Sequence, residues 1–255
     1  VFAAGGVLSL LLTVAASAAG ESAASEVELL LEEYKAATSA YYEALPDNGE
    51  PSDEAHPAFQ FAPKFKTLIQ RHAGNPEALP AINWFVRTVI SGNTDEHVTR
   101  DAEWALELLG RAYAGAEGVR DTLWYTQYGR DVFDTDRLIR VYDRVAVANS
   151  DPETKSMALL LKGIVMLPGS AKPHGVDEAA LDARRREALA LLQHVEKTYP
   201  QTKAGKRATG FIFEAQRLQI GMKAPDFAGQ DVEKRDLRLS DFKGRVVAVI
   251  FWGHW

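Results

Sequence analysis

Cysteine is absent from all 255 residues, and that absence excludes more chemistry than any other feature of the composition. Without it these residues supply no disulfide framework, no thiolate metal site, no sulfur-linked lipid and no thiol nucleophile. Other signatures are missing too. The six histidines (His56, His72, His97, His174, His194 and His254) are scattered, and none belongs to a His-Glu-x-x-His pair. There is no glycine-rich phosphate loop and no Gly-x-Ser-x-Gly elbow, so no cofactor and no metal are expected. An excess of positive charge is also lacking. The 29 Lys and Arg face 35 Asp and Glu, a net charge of −6, and no nucleic-acid partner is expected.

What is present reads as a globular chain, 46% hydrophobic and 25% charged, long enough for one large domain or two ordinary ones. Residues 1–20 carry no charge, place an apolar run at 7–14, and offer Ala16-Ser17-Ala18 as a small-x-small cleavage site. They are expected to be a secretory signal peptide lacking its basic front end, which makes the protein exported, periplasmic or otherwise extracytoplasmic. The alternative is an uncleaved membrane anchor. The chain begins with Val1 rather than methionine, and both its ends are expected to be those of a fragment.

From there to residue 217 the pattern is helical. Ser25 and Glu28 have the spacing of a capping box, and Val27, Leu30, Leu31, Tyr34, Tyr41 and Leu45 follow on one face, predicting a helix over 26–45. The acidic stretch 47–54 reads as a solvated loop, since it lacks calcium-ligand spacing. Helices are predicted over 57–71 and 76–90. Another starts at an Asn93-Thr94 cap and runs to about 114, with Val98, Ala102, Ala105, Leu109 and Ala112 on its inner face. Between 117 and 149 the pattern is helical but interrupted, with Trp124, Tyr125, Tyr128, Phe133, Leu138, Ile139 and Val145 as its apolar set and Asp136 as a cap. Asp151-Pro152-Glu153 is a strong helix start, 168–175 a loop, and Asp177 opens a long helix with Arg184, Arg185 and Arg186 on its solvated side. The junction Tyr199-Pro200-x-Thr202 resembles the hairpins of tetratricopeptide-like repeats, but no self-similar period of about 34 residues occurs elsewhere.

The last segment, 218–255, changes character. Residues 246–251 form a continuous β-branched apolar run between Gly244 and Gly253, the pattern of a strand buried on both faces. Leu237 and Leu239 alternate with Asp236, Arg238 and Ser240 as a half-buried strand does.

Three blocks here carry a resemblance: Gly221 with Pro225-Asp226-Phe227, then Leu239 through Gly244 to Val247, then Trp252-Gly253-His254-Trp255. In that order they resemble the opening of a thioredoxin-like redoxin domain, most closely the TlpA-type thiol:disulfide oxidoreductases, within the group that also holds alkyl hydroperoxide reductase and thiol-specific antioxidant proteins. The chain is thus expected to be mainly α, with a signal peptide at 1–20 and an α-helical domain of repeat-like hairpins at 21–217, and the resemblance implies the first part of an α/β thioredoxin-like domain at 218–255. It implies that Cys-x-x-Cys would follow Trp255, so that this chain holds no catalytic residue and supplies only the active-site platform Trp252, Gly253, His254 and Trp255. It also implies a protein disulfide substrate, or a peroxide in the antioxidant branch, and a thiol electron donor. The helical domain would bind a protein partner. The competing reading is a helical interaction module with an inactive redoxin segment.

Overall fold

The computed structural model describes residues 22–45, 56–92, 95–167, 177–250 and 253. The expected signal peptide 1–20, the acidic loop 47–54, the Asn93-Thr94 cap, the loop 168–175, and Phe251, Trp252, His254 and Trp255 lie outside the described residues.

All the described α-helices but those at Leu79–Ile90 and Val119–Thr126 begin where a side chain satisfies a free backbone amide, which is worth about 1 kcal/mol per cap. Ser22 caps α1 (Ala23–Glu43) by accepting from the Ser25 amide at 3.2 Å, so the helix starts a turn earlier than the Ser25–Glu28 spacing suggests. The His56 ring nitrogen caps α2 (Pro57–Arg71) by accepting from the Ala58 amide, with Pro57 at the first position. A 3₁₀ turn (Pro76–Ala78) leads into α3 (Leu79–Ile90), which is buried on most sides. Asp95, rather than Asn93 or Thr94, caps α4 (Glu96–Ala112). Gly118, at φ +84°, turns the chain into α5 (Val119–Thr126). For α6 (Thr135–Ala148) the cap is Asp134, which accepts from the Arg137 amide at 2.9 Å; Asp136 falls inside the first turn. Asp151 caps α7 (Pro152–Met166) through two amides, Asp177 caps α8 (Glu178–Thr198), and Thr202 caps α9 (Lys203–Arg217).

The protein is mainly α. α1, α3, α5, α7 and α9 form one rank in which each touches the next, and α2, α4 and α6 form a second rank behind it, while α8 packs against α7 and α9. Their apolar stripes meet in one continuous core that runs from Val27 to Ala208. At one end Phe65 stacks on Trp84 at 4.1 Å, and Tyr34 meets Phe61 and Trp84 edge to face. In the middle, α7 is buried along most of its length, and the Tyr142 hydroxyl shares a 2.8 Å hydrogen bond with Thr126. Burial pushes the Tyr142 phenol well above its ordinary range, so it stays neutral.

Two glycines set helix spacing. A β-carbon on Gly163 would lie 2.7 Å from Leu192, so α7 and α8 approach there only because no side chain intervenes, and one on Gly205 would collide with the Tyr199 carbonyl in the α8–α9 turn.

Some inward assignments from the sequence are corrected. Ala112 is exposed because α4 is covered on the face of Val98, Ala102, Ala105 and Leu109 only. Tyr128 is 60% exposed and Trp124 36%, both past the rim of the core. Arg185 is half-buried and its guanidinium is bonded to Gln219, so it is more than a solvated charge.

After α9 the regular structure is slight. β1 (Ala228–Gln230) pairs antiparallel with β2 (Asp236–Arg238), in the register Ala228 opposite Arg238 and Gln230 opposite Asp236, and a 3₁₀ turn follows over Leu239–Phe242. The expectation of a buried strand at 246–251 is corrected. Residues 246–250 have no regular structure and are exposed, Ile250 at 80%. An apolar run becomes a central strand only when other strands take its amides and helices cover its faces, and among the described residues none adjoins it. Leu237, expected to be half-buried, is exposed (41%), as are all residues of both strands of the hairpin.

Candidate functional site

The segment carrying the redoxin-like blocks is organised by three aspartates. The chain leaves α9 through a turn in which the Met222 amide donates to the Gln219 carbonyl, and Gly221 sits there at φ +89°, a conformation that favours glycine. Residues 223–227 then run extended. Asp226 accepts from the Ser240 amide at 2.9 Å, and next to it the Leu239 amide donates to the Phe227 carbonyl at 3.1 Å. Pro225-Asp226-Phe227 is thereby tied to the turn that starts the second block.

Asp231 does the same for the hairpin. Its Oδ1 accepts from the Glu233 and Arg235 amides and its Oδ2 from Arg235 Nε, which closes a loop in which Lys234 takes φ +62°. The third, Asp241, accepts from the Arg238 amide at 2.9 Å and so starts the 3₁₀ turn, after which Gly244 at φ +83° redirects the chain. Hydrogen bonds from the Ser240 side chain and backbone hold the Asp226 carboxyl below the usual carboxylate range, and those from Arg235 do the same for Asp231. Both are ionised at neutral pH, as acceptors of several N–H bonds should be.

Of the motif residues, Asp226 and Phe227 are joined to Ser240 and Leu239, and Gly221 and Gly244 redirect the backbone before and after them. Of the platform, Gly253 is exposed and the other three residues lie outside the described residues. Sequence reading missed Asp231 and Arg235, and it named Ser240 as a strand and turn residue without its bond to Asp226. The Asp-x-x-x-Arg spacing of the hairpin turn was the available signal for the first two, since Asp readily accepts from amides two or more residues on. It also missed the docking edge: Lys223, Ala224, Pro225 and Asp226 face Ile212, Phe213, Gln216 and Arg217 of α9, with Glu196 and Thr209, around an open cleft of about 670 Å³. No group of three or more His, Cys, Asp or Glu able to hold a metal occurs among the described residues. No described helix is long and apolar enough to cross a membrane.

The chain's likeness to known proteins is to thioredoxin-like redoxins and is confined to a short stretch. It is similar to proteins named thiol-disulfide oxidoreductase ResA. It is 41% identical over 46 residues to that of Bacillus thuringiensis (strain Al Hakam), covering 18% of this chain and 27% of that protein. It is 42% identical over 45 residues to that of Geobacillus thermodenitrificans (strain NG80-2), covering 18% and 26%. The chain thus spans about a quarter of the length of the curated relatives it matches. No family model matches the chain. No solved structure matches it either.

Proposed function

We propose that this chain belongs to an exported thiol-disulfide oxidoreductase of thioredoxin fold, in which residues 218–255 begin the redox domain and the helices recruit a protein partner. The observation that carries the reading is the 41% identity over 46 residues to a thiol-disulfide oxidoreductase, in a chain whose first two redoxin-like blocks are joined through Asp226 and Ser240. In this reading residues 1–20 direct export and are removed, and the cysteines are supplied beyond Trp255.

The chemistry needs a thiolate where a strand gives way to a helix, since the unpaired amides there stabilise negative sulfur and lower the thiol pKa from about 8.5. The first thiolate attacks a sulfur of the substrate disulfide, breaking that bond, releasing one substrate thiolate and forming a mixed disulfide. The second thiolate attacks the enzyme's own sulfur of that bond and releases the other. The substrate gains two electrons and is reduced, the enzyme pair is oxidised to a disulfide, and a thiol donor restores it. Trp252, His254 and Trp255 would flank the nucleophile.

The test has two arms. The coding sequence past Trp255 is expected to encode Cys-x-x-Cys, and protein carrying it should reduce insulin disulfides, with activity lost on replacing either cysteine by serine. The 255-residue chain alone should stay at background. A continuation with no cysteine at either position, or turnover by the chain alone, would overturn the proposal.

A further inference from the structure

Away from the C-terminal segment, the rank containing α3, α5 and α9 carries a strip in which cations alternate with aromatic rings. The Arg87 guanidinium lies over the Tyr125 ring at 4.8 Å, and that of Arg207 over Trp124 at 4.6 Å with Phe211 at 5.7 Å. Arg207 also donates to Gln127 Oε1 at 3.1 Å. Tyr128, one helical turn beyond Trp124, extends the exposed aromatic edge.

Arg71, Arg100, Arg111, Arg120, Arg137 and Arg144 each face a carboxylate, whereas Arg87 and Arg207 have no ion pair among the described residues and lie over aromatic rings instead. α5 itself contributes a single carboxylate, Asp121, in its first turn. In a chain of net charge −6, these two cations place positive charge on aromatic rings. Stacking fixes a guanidinium plane; Arg87 is exposed and offers its donors to a carboxylate, whereas Arg207 is half-buried, with Nη2 on Gln127 and Nη1 buried, and contributes its charge. Arg, Trp and Tyr are the residue types that dominate binding energy at protein interfaces.

We propose that this strip docks an acidic, partly apolar segment of a partner protein, with a carboxylate on Arg87, the charge of Arg207 adding to the attraction, and apolar side chains on Trp124 and Tyr128. The assignment rests on the reading that the helices recruit a protein partner. Charge complementarity selects the occupant: the strip is cationic and aromatic, and the negative charge of the remainder opposes a polyanion as long as a nucleic acid.

The test uses the 255-residue chain and fluorescence anisotropy, with a labelled decapeptide alternating Glu and Leu as probe. Its Gln and Leu counterpart and a ten-nucleotide oligothymidylate serve as comparisons. The acidic peptide should bind about tenfold more tightly than the Gln peptide at low salt, and the advantage should shrink as salt rises. Arg87→Gln with Arg207→Gln should erase the preference, and Arg100→Gln should leave it intact. Tyr128→Ser changes an exposed side chain that the fold does not need, and should weaken the acidic peptide even if the double variant fails to fold. Equal binding of the two peptides, a preference that survives the double substitution, no effect of Tyr128→Ser, or tighter binding of the oligonucleotide would each overturn the proposal. If the acidic peptide fails while turnover of a protein disulfide by the cysteine-bearing protein still depends on the helices, the strip is excluded and the recruiting reading stands.

Discussion

The helical array and the segment after it are built from similarly apolar sequence and end in opposite states. Leu160, Leu161 and Val145 are fully or almost fully buried, while Val246, Val249 and Ile250 are exposed, although the second set is the more β-prone and the more continuous. The difference lies in partners. A helix satisfies its own amides and needs only one covered face, whereas a strand needs a neighbour on each edge before burial can begin. Local hydrophobicity decides what a segment can become, and the elements around it decide whether it does.

The largest effect expected from breaking that comparison is in the array's aromatic end. Phe65→Ala removes a fully buried ring stacked on Trp84 and should cost about 3–5 kcal/mol, read as a lowered midpoint in denaturant unfolding of the 255-residue chain. A loss below about 1 kcal/mol would show that the cavity collapses or that this end is already loose. Gly205→Ala should cost less, about 1–3 kcal/mol by the same measurement, because the α8–α9 turn must shift to clear the Tyr199 carbonyl. A neutral result would show that the turn has room the static structure hides. The smallest effect should come from removing everything after Arg217. The segment touches the array mainly at the 223–226 edge and through the Arg185–Gln219 bond, so the main transition should move by no more than about 1 kcal/mol. Loss of cooperative unfolding in the truncated chain would place the boundary elsewhere.

Most of the array was legible in the sequence because its signals are local. Asp151-Pro152-Glu153, Asp177 and Thr202 are caps that act within three residues, and each begins a helix. The error at Asp136 came from a neighbouring residue of equal capping chemistry, Asp134, which takes the cap. Gly163 and Gly205 were invisible because their role is to be approached by residues distant along the chain or across a turn, and composition gives no sign of that. In the C-terminal segment Gly221 and Gly244 could be marked from the motif alone, since a positive φ is a property of one residue. The fate of 246–250 could not, since a strand's burial is a property of its neighbours.

α7 governs how the helices assemble. It touches α5 and α6 on one side and α8 and α9 on the other, with Leu160, Leu161 and Ile164 among its buried residues. In a linear stack of hairpins, loss of structure can spread from one end while the other survives, since each unit answers only to its neighbour. Here ten of the fifteen residues of α7 are buried, so its loss uncovers α5 and α6 as well as α8 and α9. A lesion in α7 is therefore expected to reach both sides of the stack at once.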